Sequence, residues 1–97
     1  MSRANVLYKN KYSCFSSITD SFITKPMSER KYEKWRKKEF GNVYYPSLNN
    51  SHFITIEEAV NSICLNREYR EAINVLKTAK LLDKYTQGLI IDFYLEI

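Results

Sequence analysis

Ninety-seven residues make one domain at most, and a chain of that length buries only about 60–65% of the surface it exposes when unfolded. Apolar residues are 44% of it, with eight Tyr, five Phe and one Trp against two Gly and two Pro. That balance supports a modest core, favours helices over a turn-rich β-protein and leaves surplus aromatics for a partner. The net charge of +4 is unevenly spread. Residues 1–40 hold ten Lys/Arg and four acids, a balance of +6; residues 41–97 hold five and seven, a balance of −2. No apolar run approaches the roughly 18 residues that a membrane-spanning helix needs.

Residues 1–26 read as a basic N-terminal extension: Arg3, Lys9, Lys11 and Lys25 against Asp20 alone, with many Ser and Thr. Phe15, Ile18 and Phe22 fall at helical spacing. This is the composition of a mitochondrial targeting segment; the plainer reading is an ordinary extension that lies along a partner surface. After Lys25-Pro26 breaks the chain, Ser28 as N-cap and Gly41 as stop predict a helix over about 29–40. Its apolar stripe is thin (Tyr32 and Trp35, with Phe40 near the end), and Arg30, Lys31, Lys34, Arg36, Lys37 and Lys38 surround it. A helix so polar is pinned by a few aromatics, and the rest of it meets water or an acidic surface. Residues 41–53 read as a linker, with Pro46 forbidding helix and an Asn/Ser cluster supplying turns.

The strongest periodicity lies in residues 55–84, within a single helical domain placed at 27–97. Thr55 with Glu58 forms a capping box; Ile56, Ala59, Val60, Ile63 and Cys64 then define one apolar face. Asn66 can cap a second helix, whose stripe is Tyr69, Ala72, Ile73, Leu76 and Ala79. Two helices so closely joined predict an αα-hairpin. Residues 86–97 read as a third helix, with Ile90, Ile91, Tyr94 and Leu95 inward; their clean alternation also fits a strand. The expected fold is all-α, and the alternative is a winged helix with a C-terminal strand.

Catalytic groups are sparse. His52 beside Ser51 lacks an acid and an oxyanion glycine, so it makes no triad. One His and two distant Cys make no metal site, no cofactor loop is present, and Cys64 on its apolar stripe reads as a buried free thiol. A reduced, intracellular protein is the default expectation.

The stretch Ile63–Lys77, with its short turn at Asn66-Arg67 and the Glu71-Ala72-Ile73 run, resembles the helix-turn-helix unit of the tetratricopeptide and pentatricopeptide repeat families. The same C-terminal pattern, with Tyr32 and Trp35 upstream, is similar to the subunit Va family of cytochrome c oxidase. These resemblances imply a non-enzymatic interaction module: an accessory subunit or adaptor of a larger protein complex, mitochondrial and respiratory if the targeting-like N-terminus is taken with them. Tyr32, Trp35, Arg36, Lys37, Tyr44 and Tyr45 are the partner-binding candidates. The alternative is a small nucleic-acid-binding regulator in which Lys34, Arg67, Arg70 and Lys77 meet phosphates. A small inhibitor or immunity-type protein is a second alternative that size and composition allow.

Overall fold

The computed structural model describes residues 3–40, 48 and 51–96. Its elements run β1 (Arg3–Tyr8), β2 (Lys11–Ser16), β3 (Ser21–Phe22), α1 (Glu29–Phe40), β4 (Phe53–Ile54), α2 (Ile56–Leu65), α3 (Tyr69–Thr78) and α4 (Lys84–Leu95). The fold is therefore α+β, which corrects the all-α expectation and its tetratricopeptide-like hairpin. Four strands form a mixed sheet in the order β3-β2-β1-β4, antiparallel except where β4 pairs parallel with β1.

Three of the four strands come from residues 3–22, inside the segment that composition marks as an extension. Removing that segment would take Val6 and Phe15 out of the main core, so these residues are integral to the fold. The hairpin turn joining β1 and β2 is Lys9-Asn10, with both residues at positive φ (51° and 62°). Two such residues in succession make the primed turn whose twist matches paired strands, a position usually marked by glycine. Here no glycine marks it. The helical spacing of Phe15, Ile18 and Phe22 also has another origin. Phe15 and Phe22 are cross-strand partners with rings 5.3 Å apart, and Ile18 is exposed in the turn between them.

Side chains alternate across the sheet. On one face Val6 and Phe15 join α2, α3 and α4 in a core that includes Ile56, Ile63, Leu76 and Ile90. On the other face Asn5, Tyr12 and Cys14 meet α1, with Leu48 completing a smaller cluster around Tyr32. Among the described residues the sheet thus lies between a layer of three helices and one helix on the other face.

Within the larger layer, Thr55 caps α2 through the reciprocal bonds of a capping box with Glu58. Asn66 ends α2 and donates to the Asp20 carboxylate; Glu68 stands at the N-cap of α3. Although α2 and α3 are consecutive, α2 lies more extensively against α4. The strand alternative for the C-terminal stretch is overturned as well. Asp83 accepts from the Thr86 amide at 2.9 Å, and the Thr86 hydroxyl accepts from the Asp83 amide at 2.9 Å. This box starts a helix at Lys84 and buries Thr86 and Ile90 together. Among the described residues, no helix is long and apolar enough to cross a membrane.

Candidate functional site

Helix α1 begins where Ser28 accepts from the Lys31 and Tyr32 amides, through its side chain and its carbonyl respectively. Two of its residues face deep into the protein. Tyr32 is fully buried, stacks between Tyr12 and Trp35 at 5.7 Å each, and donates its hydroxyl to Asn5 Oδ1 at 2.5 Å. Burial, and after it the neighbouring Cys14, push the Tyr32 hydroxyl far above the usual phenol range. Arg36 is 7% exposed and donates to Glu33 Oε1 at 2.7 Å and Ser51 Oγ at 2.6 Å. A buried guanidinium held this way is stable only because its donors are matched.

The outer side of α1 is built differently. At about 100° per residue, Arg30, Lys31, Lys34, Lys37 and Lys38 occupy an arc of roughly 120° centred opposite Tyr32 and Arg36. All five are exposed, and none of their charged groups has an ion-pair or hydrogen-bond partner among the described residues. The three acids of the helix lie outside that arc and are engaged. Glu29 accepts from the Tyr12 hydroxyl at 3.1 Å, Glu33 holds Arg36, and Glu39 sits 3.7 Å from Arg3. Charge on α1 is therefore sorted: its three acids each meet a partner outside the arc, and every cation but the buried Arg36 faces solvent.

This sorting costs stability. Lys34 has Arg30, Lys31, Lys37 and Lys38 at its i−4, i−3, i+3 and i+4 positions. Each like-charge pair of that kind destabilises a helix by about 0.2–0.5 kcal/mol, so the four oppose α1 by on the order of 1–2 kcal/mol. Glu33, three residues after Arg30 and four before Lys37, offsets part of that repulsion, but among the described residues no acid forms an ion pair with the stripe.

Of the residues singled out for partner binding, Lys37 lies on the stripe, and so does Lys34 from the nucleic-acid alternative. Tyr32 and Arg36 are buried, so in this fold they support the helix and have no surface to offer. Trp35 is half-buried against Tyr32. Tyr44 and Tyr45 lie outside the described residues. Arg67 is a strut: its guanidinium donates to the Thr19, Asp20 and Ile63 carbonyls at 3.0, 2.8 and 3.3 Å. Arg70 and Lys77 are exposed on α3, in the layer across the sheet from α1. Arg30, Lys31 and Lys38, which the sequence places facing water or an acidic surface, complete the stripe. Their positions relative to Lys34 and Lys37, projected on a helix, are the signal that finds them.

Two other places gather polar groups. A groove of about 570 Å³ runs between residues 21–25 and α3, but its Arg67 is held as above and Glu71 accepts from the Glu68 amide. At the β1–β2 turn, Lys9 and the Tyr8 hydroxyl both reach Asp83 Oδ2 at 2.7 Å. Burial opposes the Asp83 charge, yet Lys9, the Thr86 amide and Tyr8 together hold its carboxyl well below the usual carboxylate range. This cluster ties the hairpin to the start of α4. Among the described residues, no group of three or more His, Cys, Asp or Glu could hold a metal ion. Cys14 and Cys64 are both unpaired and buried, and burial raises both thiols. No family model matches this chain, and neither a curated protein nor a solved structure does.

Proposed function

We propose that this protein is a non-enzymatic docking module, a subunit or adaptor that attaches to a larger anionic partner through the outward face of α1. The sorting of charge on that helix carries the reading: five free cations share one arc, while every acid of α1 is turned aside and occupied. A helix that spends stability on like-charge crowding, on the face it does not need for folding, is arranged for an external counter-charge.

The test is native size. Tagged wild-type protein in a gently prepared low-salt extract migrates far above the size of one ~100-residue domain, and a K31E/K34E/K38E variant migrates alone. A wild-type protein that runs free, or a variant that keeps the large size, would sink the reading.

A further inference from the structure

We infer that the surface the α1 stripe meets is the phosphate backbone of duplex DNA, bound without base readout. The inference rests on the docking reading and adds the identity of the partner. First, the arc carries Arg30, Lys31, Lys34, Lys37 and Lys38 and no other residue of the helix, so it contains no apolar side chain. A protein–protein interface of ordinary stability has an apolar centre, whereas neutralising phosphates needs none, because counterion release supplies the driving force.

Second, the stripe matches a regular polyanion in shape. Arg30 and Lys38 are eight residues apart, about 12 Å of helix axis, over which B-form DNA presents about seven phosphate charges. Four of the five cations are lysines, compact charges on flexible stems. They suit phosphates more than the fixed, two-pronged base contacts that arginine makes.

Third, the surroundings of the stripe select the duplex. Single-strand sites pair a basic track with exposed aromatic rings on which bases stack. Here Tyr32 is buried and Trp35 is turned against it, and the arc itself has no ring. Among the described residues α1 is the one helix on its side of the sheet, and its five stripe cations are exposed. The outer arc of a helix about 10–12 Å across rests at the mouth of the B-form major groove, about 12 Å wide, with its cations toward the flanking phosphates; the narrow major groove of duplex RNA does not admit it.

The experiment is fluorescence anisotropy with a labelled random-sequence duplex of about 20 base pairs, long enough to cover the stripe's span. Five phosphate contacts give a log–log salt slope near −4.5, so affinity falls about 500-fold between 50 and 200 mM salt. Lys34→Gln lowers the slope by about 1, and K31Q/K34Q/K38Q by about 3. An R70Q/K77Q variant, altered across the sheet, leaves the slope unchanged. Circular dichroism checks that each variant keeps its helix content.

Single-stranded DNA, duplex RNA and polyglutamate are run alongside. Equal or tighter binding of either nucleic-acid competitor overturns the duplex DNA assignment, and so does a slope that the stripe variants leave alone. Stripe-dependent binding of polyglutamate, with no binding of DNA, overturns the DNA inference while the docking reading stands. Nuclease treatment of the extract collapses the large native complex if the inference holds. A nuclease-resistant complex that still requires the stripe overturns it in favour of an acidic protein partner.

Discussion

The two sides of the sheet are held by different means. The three-helix side rests on a continuous apolar core, with Ala59, Ile63, Ala72, Leu76 and Ile90 all fully buried, and reciprocal caps fix the starts of α2 and α4. The lone-helix side has a small cluster of Cys14, Tyr32 and Leu48, and its inward polar groups are tied by hydrogen bonds to Asn5, Glu33 and Ser51. An apolar layer uses most of each helix surface for packing. A helix pinned at a few points keeps about a third of its circumference free, and on α1 that freedom is filled with one sign of charge.

The largest test of this contrast is Tyr32→Ala, which removes the pin itself. Truncating a buried aromatic costs about 3–5 kcal/mol, read by urea unfolding. Tyr32→Phe keeps the ring but leaves Asn5 Oδ1 unpaired, at about 1–3 kcal/mol. A Tyr32→Ala variant as stable as the wild type would show that α1 is held by something other than this cluster.

Next in size is Asp83, which serves the opposite layer. Asp83→Ala removes the cap of α4 and the tie to Tyr8 and Lys9, at about 0.5–2 kcal/mol from the cap alone. Its pH dependence has a definite sign. The folded-state carboxyl is depressed below its unfolded value of about 3.9, so the unfolded state binds more protons in that window and stability rises with pH there. The stability gap between wild type and Asp83→Asn is therefore constant above about pH 5 and narrows as pH falls below about 4. A gap independent of pH would show that the carboxylate charge plays no part.

The smallest effect is the most diagnostic. Lys34→Glu converts four like-charge neighbours into attractive ones and raises stability by about 1–2 kcal/mol from the relieved repulsion alone, while weakening docking. Loss of both stability and binding would place Lys34 in the packing of α1 and would blur the division between its two sides. A chemical probe of the whole sandwich completes the set. Buried thiols with raised pKa react slowly, so Cys14 on one face and Cys64 on the other both resist alkylation at about pH 8 until the protein is unfolded.

Helices were legible where their signals are local. The Thr55–Glu58 box and the stripe from Ile56 to Cys64 are complete in the sequence and appear as α2. The strands were not, because their information is spread along the chain. In β2 the run Ser13-Cys14-Phe15-Ser16 is buried throughout. Its two faces serve different neighbours, one apolar and one hydrogen-bonded, so no simple alternation of apolar and polar residues survives. The turn that creates the hairpin lacks the glycine that would announce it.

The candidate site divides along the same line. Sequence alone determined that residues 1–40 are strongly basic and that a polar helix follows Pro26. These are matters of composition and of spacing within a few residues. Only the tertiary structure decided which charges are free. Arg36 and Arg67 look like any other surface cations in one dimension, yet Ser51 and the carbonyls of residues 19 and 20 engage them from distant parts of the chain. Lys34 and its four neighbours have no such contact. Availability depends on which partners folding brings within about 3 Å, the range of a hydrogen bond, and no local pattern of residues encodes that distance.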